Sequence, residues 1–329
     1  MMTTLKDAYK DYFYIGAAAN ARGLETHRDL LATQFSSMTC ENEMKHMSVA
    51  KAPGQYDFTV ADKMVDFAKE NGMQMRGHCM VWHAQAARFL YQNPDGSYVS
   101  RETLIANLKA HIHTYAQHFK GRVNAYDVVN EAIDDKNGLF LRRSFWTEII
   151  GDDFLDIAFT AAALEDPDVK LFYNDYNEWY PDKSEKIEKL VRGMLERGIP
   201  ISGLGLQSHY NVSCLNDFDN IRRAYERYAK LGIDLHVTEL DVSCFDPEDK
   251  RTELTEPTAE MTEKVALFYE KFFAMLREYK GVVKSVTFWG IADDYTWLDN
   301  FPVRGRKNWP LLFDINHQPK EAFWRVAQF

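Results

Sequence analysis

Short apolar runs with strand character alternate with amphipathic helical stretches along the whole 329-residue chain. The apolar runs are rich in β-branched and aromatic residues and are bounded by polar or glycine-containing segments, as is typical of buried strands. Eight strands are predicted, at 12–19, 34–42, 74–82, 123–132, 169–177, 203–211, 234–242 and 283–291.

The helical stretches between these runs share one design. Apolar residues recur every three to four positions in the stretches 60–72, 185–199 and 259–281, and each stretch ends near a glycine. Glycine suits the left-handed conformation that caps a helix at its carboxyl end. We therefore predict three well-defined amphipathic helices, each closed by a glycine cap.

Eight strands that alternate with helices indicate a parallel sheet with crossover helices. An open doubly wound sheet is the alternative, but such a sheet usually carries a Gly-rich phosphate turn after its first strand. This chain reads IGAAANARG there, and neither GxGxxG nor a Walker motif occurs in it. The prediction is a single (β/α)8 TIM barrel over residues 1–329, with its active site at the C-terminal ends of the strands.

Composition and charge argue against several classes of binding partner. Lys and Arg number 39 against 49 Asp and Glu, a net charge of -10 without long runs of one sign, which disfavours nucleic acid or an anionic membrane. The cysteines Cys40, Cys79, Cys214 and Cys244 lack CxxC spacing, so neither a zinc motif nor a redox motif is expected. Residues 1–16 lack the apolar core of a signal peptide, and no apolar run approaches the roughly 18 residues of a membrane span. We expect a cytoplasmic protein with free thiols; earlier removal of a signal peptide is the competing explanation, against which Met1 argues.

Polar and aromatic residues recur at the C-terminal ends of seven consecutive predicted strands. Each has an ordinary explanation by itself, such as a hydrogen-bonded core histidine, a core tryptophan or an exposed ion pair. Their recurrence is better explained by a common cavity, because the strand ends of a barrel meet at one mouth and unpaired buried polar groups are costly. In chain order they are Glu41, Asn42, Lys45, His78, Trp82, His83, Asn130, Glu131, Tyr173, Asn174, Asp175, Asn177, Gln207, His209, Tyr210, Glu239, Asp241 and Trp289.

The distribution of tryptophan favours a sugar as the ligand of this mouth. Flat indole rings stack on the C–H faces of sugars, while amides, lysine and carboxylates can hydrogen-bond the hydroxyl groups. A phosphate cradle, which a phosphorylated ligand would need, is not visible in the sequence. The tryptophans predicted at strand ends or in loops are Trp82, Trp179, Trp289, Trp297 and Trp309.

A metal site is a less favoured alternative. The HIH sequence at 111–113 lies in a helical stretch, where residues two apart do not share a face. His78, His83, Glu131 and Glu239 could form the metal site of a barrel isomerase, but carboxylates are few in this region and tryptophans are many. We therefore predict neither a metal nor another cofactor.

Six short motifs lie on these strand ends in a fixed order: ENEMK at 41–45, RGHCMVWH at 76–83, DVVNEA at 127–132, QSHY at 207–210, VTELD at 237–241 and FWG at 288–290, followed by Trp297. Together they resemble the motifs of glycoside hydrolase family 10, the endo-β-1,4-xylanases, over nearly the whole chain. After His83 the family often continues with Ser or Asn, Gln, Thr, Pro and an aromatic pair, whereas this chain reads AQAARFLY. The shape of that loop is therefore not carried over.

The resemblance implies a retaining double displacement in a (β/α)8 barrel without an appended carbohydrate-binding module. Glu131 would be the general acid/base and Glu239 the nucleophile. Asn130 would hydrogen-bond the sugar 2-hydroxyl, and Gln207 and His209 would contact Glu239 or the sugar bound there. The remaining implied substrate-binding residues are Glu41, Asn42, Lys45, His78, Trp82, His83, Trp289 and Trp297 on the glycone side, and Tyr173 and Tyr210 nearer the aglycone side.

Retention also makes a physical demand on the two glutamates, because their carboxyl groups must lie about 5–5.5 Å apart. The fourth and seventh strands are expected to face each other across the barrel, so that Glu131 and Glu239 approach across the mouth. At that separation and an effective dielectric constant near 20, two charges repel by about 3 kcal/mol, and one group keeps its proton. Glu239, supported by His209, is expected to be ionised and Glu131 to be the acid.

Three alternative functions stay open from the sequence: another barrel glycosidase such as a β-glucanase, a non-catalytic sugar-binding barrel and a metal-dependent sugar isomerase. A cytoplasmic xylanase meets imported fragments, so short xylo-oligosaccharides are the expected substrates, with xylan as the parent polymer. The long irregular stretch near 297–316 suggests a binding loop. Within it, the loop 300–310, with Arg304 and Arg306, either closes over the glycone end, binds acidic decorations or is a solvated basic loop. Asp134 and Asp135 are expected to be loop residues without a role.

Overall fold

The strands of the computed structural model, which describes residues 3–136 and 138–329, form a closed ring. Each strand pairs in parallel with the next, and the last pairs with the first, where Tyr14 lies opposite Ser285. The prediction of a (β/α)8 TIM barrel is confirmed. The eight strands are β1 Tyr14–Ala19, β2 Ser37–Cys40, β3 Gln74–Gly77, β4 Ala125–Asn130, β5 Lys170–Asp175, β6 Gly203–Leu206, β7 Asp234–Ser243 and β8 Val283–Phe288.

Helices follow the strands and cover the outside of the barrel. The predicted helical stretches 60–72, 185–199 and 259–281 correspond to the fifth, ninth and eleventh helices. None of the helices that the structure describes is long and apolar enough to cross a membrane. The helices are α1 Leu5–Tyr9, α2 Ala21–Thr26, α3 Arg28–Gln34, α4 His46–Val49, α5 Thr59–Glu70, α6 Arg101–Phe119, α7 Phe145–Ile149, α8 Phe154–Glu165, α9 Pro181–Glu196, α10 Phe218–Ala229, α11 Ala259–Glu278 and α12 Glu321–Ala327, with 3₁₀ turns at Arg88–Leu90, Val212–Leu215 and Trp297–Asp299.

The ends of these helices carry the expected caps in part. At the start of α11 the side chain of Thr258 accepts a hydrogen bond from the backbone N–H of Met261. Gly72 after α5 and Gly198 after α9 have φ values of 65° and 71°, which confirms two of the predicted glycine caps. Gly281 does not have a positive φ, because α11 already ends at Glu278, so the third predicted cap is wrong.

Two of the predicted strands are interrupted near the mouth. β3 ends at Gly77, and the chain becomes extended again only at Val81–Trp82, where it pairs with the end of β4. β6 ends at Leu206, and a short strand over His209–Asn211 then pairs with the end of β7. The predicted strands 74–82 and 203–211 thus contain the breaks that carry the polar residues of their motifs.

A buried ion pair lies inside the barrel beneath the mouth. The guanidinium group of Arg76 on β3 pairs with the carboxylate of Asp127 on β4, and Nδ1 of His78 lies 2.9 Å from Oδ2 of Asp127. Burial opposes the charge of Asp127, but Arg76 and His78 together hold the pKa of this carboxyl below its usual range. This polar layer fixes the ring of His78, which faces the mouth from below.

Candidate active site

Glu131 follows β4 in a backbone conformation that few non-glycine residues adopt, with φ of 58°. Its N–H donates to the carbonyl oxygen of Asn174 at 2.8 Å. Its own carbonyl oxygen accepts from Nε of Arg142 at 3.0 Å. Such a conformation persists where the surroundings hold it. The apolar run of β4 therefore ends in a fixed turn that presents Asn130 and Glu131 at the mouth.

Tyr173 on β5 lies below the mouth and is fully buried. Its hydroxyl oxygen accepts hydrogen bonds from the backbone N–H groups of Ala132 (3.0 Å) and Ile133 (3.1 Å), and the hydroxyl donates to Asp175. The structure does not place Tyr173, predicted as a substrate contact, among the residues that line the cleft, because its side chain lies on the face of β5 opposite to that of Asn174. It secures the turn that follows Glu131.

Glu239 on β7 heads a chain of hydrogen bonds across the rim. Its Oε2 lies 3.3 Å from Nε2 of His209, and Nδ1 of that ring lies 3.0 Å from Oδ1 of Asp241. Oδ2 of Asp241 in turn accepts from the indole N–H of Trp297 at 2.7 Å. The imidazole is thus held between two carboxylates.

The charges of His209 and Glu239 in this series of hydrogen bonds stabilise each other. Burial opposes the charged form of His209, but the carboxylates of Asp241 and Glu239 raise its pKa to about 10. Burial likewise opposes the charge of Glu239, yet the hydrogen bond from His209 and the positive potential of His78 and Lys45 bring the pKa of this carboxyl below its ordinary value. At neutral pH the site therefore contains an imidazolium beside an ionised Glu239.

Amide side chains connect the two glutamates. Nε2 of Gln207 donates to Oε1 of Glu131 at 3.0 Å and to Oδ1 of Asn130 at 3.3 Å. Nδ2 of Asn174 donates to that same Oδ1 at 2.9 Å and to Oε1 of Glu239 at 2.9 Å. The hydroxyl of Thr238 donates to Oδ1 of Asn174 at 2.7 Å, which fixes the orientation of this amide. The acid/base candidate and the nucleophile candidate are thus bridged by amides from β5 and β6.

The order of the strands corrects the expectation that β4 and β7 face each other across the barrel. In the ring of eight, β5 and β6 lie between β4 and β7, so the strands of Glu131 and Glu239 are three apart and do not face each other directly. The glutamates meet along one side of the rim. The sequence named Asn174 only as one of several polar strand ends; its signal is an amide that directly follows the apolar and aromatic run 171–173 in β5.

The opposite wall carries a lysine between two indole rings. Nζ of Lys45 donates to Oδ1 of Asn42 at 3.0 Å and lies 5.0 Å from the ring centroid of Trp82 and 6.0 Å from that of Trp289. Cation–π attraction at these distances orders both rings. The ring of His78 meets Trp289 edge to face, with centroids 5.4 Å apart. This wall offers apolar faces together with a fixed cation.

Glu41 lies beside that wall, and two hydrogen bonds fix its carboxylate. Its carboxylate accepts from Nδ2 of Asn20 at 2.9 Å and from the hydroxyl of Tyr295 at 3.3 Å. Burial raises the pKa of Glu41 above its ordinary value despite these hydrogen bonds. The side chain is therefore an oriented hydrogen-bonding group at the edge of the cleft.

The mouth opens into a cleft of about 770 Å³. Of the catalytic and substrate-binding residues that the family resemblance implies, all but Tyr173 and His83 line it. Asn174 and Asp175, from the wider set of polar strand ends, are fully buried and do not line it. Nε2 of His83 lies 4.0 Å from Oε2 of Glu131, and burial lowers the pKa of His83 to about 4, so this ring is neutral. Asp135, in the loop after β4, also lines the cleft. The remaining lining residues come mainly from loops that the sequence did not single out: Lys136, Tyr176, Asn211, Ser243, Phe245, Asp246, Pro247, Leu298, Phe301 and Pro302, together with Asn177 and Arg306.

The tryptophans divide into two groups. Trp82, Trp289 and Trp297 line the cleft, as predicted for sugar-stacking rings. Trp179 and Trp309 are buried outside the lining, the first stacked on Tyr180 with ring centroids 4.2 Å apart. Position at a strand end or in a loop is thus not enough to place an indole in the site.

The arrangement is suited to carbohydrate chemistry at two carboxyl groups. One carboxyl, that of Glu239, is held ionised, and the other, that of Glu131, lies beside a neutral histidine and within the amide bridge. Among the residues that the structure describes, the isomerase-type set of His78, His83, Glu131 and Glu239 does not converge on one point as a metal site would require. Acid/base and nucleophilic catalysis are therefore the chemistry that this mouth can perform.

Comparison with known proteins places this geometry in a family. The model of glycosyl hydrolase family 10 matches residues 4–329. The chain belongs to glycosyl hydrolase family 10. It is 49% identical over 98% of its length to endo-1,4-β-xylanase B of Paenibacillus barcinonensis (97% of that protein), and 47% identical over 98% to an endo-1,4-β-xylanase of Geobacillus stearothermophilus (98% of that protein). It is also similar to a variant solved in complex with xylotriose, with 46% identity, 100% coverage of both chains and a TM-score of 0.97.

Family membership confirms the predicted resemblance and the predicted class of glycoside hydrolase. The loop that departs from the family motif is well anchored in this family 10 chain. The backbone N–H of Ala87 donates to Nδ1 of His46 at 3.0 Å, and the carbonyl oxygen of Gln85 accepts from the N–H of Met47 at 2.8 Å. Gln85 adopts a φ of 47° at this turn. The unusual sequence thus folds onto α4 and leaves the neighbouring Trp82 in the cleft.

Proposed function

We propose that this chain hydrolyses internal β-1,4-xylosidic bonds by a retaining double displacement, with Glu239 as nucleophile and Glu131 as general acid/base. The observation that carries the proposal is the amide bridge between the two carboxyls, together with the imidazolium that keeps Glu239 ionised. Double displacement requires two neighbouring carboxyl groups, one that attacks as a carboxylate and one that supplies a proton.

The class of activity is endo-1,4-β-xylanase, because the family match spans residues 4–329 and relatives of 47–49% identity over nearly the full chain have that activity. The family is a retaining one. The assignment of roles to residues, the preferred chain length and the compartment are the parts that we propose.

In the first step the carboxylate of Glu239 attacks the anomeric carbon while the bond from that carbon to the glycosidic oxygen breaks. Glu131 transfers its proton to the departing oxygen, so that a neutral hydroxyl leaves. Nδ2 of Asn130 is directed toward Glu131 and, with a sugar bound, is placed to donate to the 2-hydroxyl group. Hydrogen bonds to this hydroxyl strengthen in the transition state.

In the second step a water molecule hydrolyses the glycosyl ester on Glu239. Esterification has removed the negative charge from Glu239, and Glu131 is now an ionised carboxylate that accepts the proton of the attacking water. The released Glu239 carboxylate returns to the hydrogen bonds of Asn174 and His209. Two inversions at the same carbon give overall retention.

We propose that the substrates are short xylo-oligosaccharides derived from xylan and that hydrolysis takes place in the cytoplasm. The four cysteines carry free, buried thiols, which suits a reducing compartment. Fractionation of the producing cells with an antibody to this chain tests the compartment: activity recovered in the culture fluid rather than in the soluble cell extract would overturn it.

The stereochemical course of hydrolysis tests the central proposal. Xylotetraose is cleaved in an NMR tube, and the anomeric protons of the new reducing ends are followed from the first seconds. We expect the β-anomer to appear first and the α-anomer only by mutarotation. Initial formation of the α-anomer would contradict the double displacement, full loss of activity in EDTA would favour a metal enzyme, and faster cleavage of an aryl cellobioside than of an aryl xylobioside would favour a β-glucanase.

The Asp241 carboxylate is expected to set the acidic limb of the pH profile. In Asp241→Asn the group that raises the pKa of His209 is gone, so His209 loses its proton in the neutral range and Glu239 loses a neighbouring cation. The pKa of Glu239 then rises, and the acidic limb of kcat/KM moves upward by about one pH unit. Asp246→Asn, an exposed carboxylate in the same cleft, is the control and should leave the limb in place. An unmoved limb in Asp241→Asn would remove His209 from the control of Glu239.

Arg306 is expected to limit the length of the bound chain. The structure buries Arg306 and leaves Arg304 exposed, so only Arg304 fits the expected solvated basic loop. The guanidinium of Arg306 stacks on Phe245 at 4.1 Å and donates to the carbonyl oxygen of Asp249 at 2.5 Å. These contacts tie the loops 245–249 and 301–306 together at one end of the cleft.

Loss of the contacts that Arg306 makes between the loops 245–249 and 301–306 should favour longer substrates. In Arg306→Ala we expect the ratio of kcat/KM for soluble xylan to kcat/KM for xylotetraose to rise about threefold, a change of about 0.7 kcal/mol in relative transition-state free energy. Arg304→Ala is the matched control on the same loop. Equal ratios in the two variants would show that the loop pair does not restrict chain length.

A further inference from the structure

We propose that His27, Asp294 and His317 form a binding site for a divalent cation of the zinc type, outside the catalytic cleft. The three side chains come from the α2–α3 junction, the loop after β8 and the turn before α12. One ligand atom of each lies within 4.8 Å of the others. The sequence could not indicate this site, because His27 and His317 stand near opposite ends of the chain.

The distances fit a tetrahedral ion after a small adjustment. Nε2 of His27 lies 2.8 Å and Nε2 of His317 lies 3.7 Å from the same oxygen, Oδ1 of Asp294. Ligand atoms about 2.0–2.1 Å from a tetrahedral Zn²⁺ are separated by about 3.3 Å. The two observed separations bracket that value, and both Asp294 and His317 lie on loops that can move by a few tenths of an ångström.

Both ring nitrogens of His27 lie close to an oxygen atom. Nδ1 lies 2.7 Å from the hydroxyl oxygen of Thr26, which itself lies 3.0 Å from the carbonyl oxygen of Arg22, and Nε2 lies 2.8 Å from Oδ1 of Asp294. In the tautomer whose proton is on Nδ1, Nδ1 donates to Thr26 and the lone pair of Nε2 faces the carboxylate. In that tautomer a metal ion can bind between Nε2 and Asp294.

The hydrogen bond to Thr26 also has the form that supports a metal ligand. A metal-bound imidazole usually donates its second ring N–H to an oxygen, which fixes its tautomer and orientation. The His27 side chain is only 3% exposed, whereas those of Asp294 and His317 are 21% and 35% exposed. The site is therefore rigid on its inner side and open to solvent on its outer side, where a water can complete the coordination.

One competing cation is present. The guanidinium of Arg22 lies 3.9 Å from Oδ2 of Asp294, and its side chain is 64% exposed. At that distance and exposure the pair contributes little, so Arg22 can turn into solvent when an ion binds. The rings of His27 and His317 stack obliquely with centroids 4.1 Å apart, so both rings lie beside Asp294. A single metal ion can therefore contact all three groups.

The site adjoins the catalytic cleft through one residue. Tyr295 directly follows Asp294, and its hydroxyl donates to the Glu41 carboxylate at 3.3 Å. An ion on Asp294 would therefore hold the loop that supports one edge of the cleft, and its role is structural rather than chemical.

The test uses the untagged, full-length protein freed of metal by a chelator. We expect Zn²⁺ to bind with a stoichiometry of one in a calorimetric titration, and to raise Tm by about 4 °C at a hundredfold excess over Kd. Co²⁺ in place of Zn²⁺ should give the visible absorption bands of a four-coordinate site. His317→Asn, which keeps a residue tolerant of the φ of 62°, and Asp294→Asn should abolish all three signals.

A variant at a second histidine tests whether Zn²⁺ binds this site specifically or binds surface histidines in general. His113 is exposed and pairs with Glu165 at 2.8 Å, so His113→Asn removes an imidazole–carboxylate pair elsewhere and should leave Zn²⁺ binding intact. The proposal is overturned if Zn²⁺ binds without saturation, or if His317→Asn and Asp294→Asn bind it as the parent does.

Discussion

Replacement of Glu239 by glycine is expected to lower kcat/KM for xylotetraose by about 10⁵-fold, an increase of about 7 kcal/mol in the activation free energy. The variant lacks the nucleophile, and the amide of Asn174 and the imidazolium of His209 then face an empty position. Azide is small enough to fill that position. With an aryl xylobioside that has an activated leaving group, azide should restore turnover and give the α-glycosyl azide, the product of a single inversion.

A surface carboxylate serves as the matched control. Glu256 is exposed in the loop before α11, so Glu256→Gly should retain full activity and show no azide dependence. Far-UV circular dichroism of the three proteins should be the same. Activity of the Glu239 variant within tenfold of the parent, without azide, would exclude Glu239 as the nucleophile.

Replacement of Glu131 by alanine should separate the two steps of the reaction. On xylotetraose, whose leaving group needs a proton, kcat/KM is expected to fall by about 10²–10⁴-fold. On an aryl xylobioside with an activated leaving group the first step needs no acid, so the glycosyl ester on Glu239 should accumulate as a burst, followed by slow hydrolysis and a low KM.

Azide should again identify the missing group. In Glu131→Ala it attacks the accumulated ester from the opposite face and gives the β-glycosyl azide, because two inversions have occurred. Glu131→Gln keeps the hydrogen bond to Gln207 and tests the chemical role apart from packing. The same azide configuration from the Glu131 and Glu239 variants would overturn the assignment of roles.

Periodicity was sufficient to predict the barrel, since apolar runs and amphipathic stretches reflect what each element buries. It also placed Glu131 and Glu239 among the polar strand ends at the mouth, but their selection as the catalytic pair came from the resemblance to the family motifs. The direction of a side chain near the end of a strand was less certain. Tyr173 and Asn174 are adjacent in β5 and therefore point to opposite faces, so that the asparagine joins the amide bridge and the tyrosine hydrogen-bonds the backbone after Glu131.

Contacts between residues far apart in the sequence could not be predicted, for a different reason. Arg306 pairs with Asp249, and His27 with Asp294, through loops whose relative positions depend on the whole barrel. The sequence around Arg306 or His27 does not show whether the side chain connects two loops or is exposed to solvent. The left-handed turn at Glu131 is a similar case, because it is stabilised by Asn174 and Arg142 from other segments.

The order of the strands divides the rim into two halves with different tasks. Consecutive strands β4 to β7 supply Glu131, Asn174, Gln207 and Glu239, whereas Lys45 comes with the other half of the ring, β8 and β1 to β3. The two glutamates therefore lie on one contiguous arc, although Lys45 and His78 on the opposite arc lower the pKa of Glu239, and Trp297 donates a hydrogen bond to Asp241. This division makes the barrel a favourable starting point for altering specificity: libraries in the loops after β2, β3 and β8 that keep Lys45, His78 and Trp297 fixed should yield new chain-length or branching preferences at an unchanged pH profile.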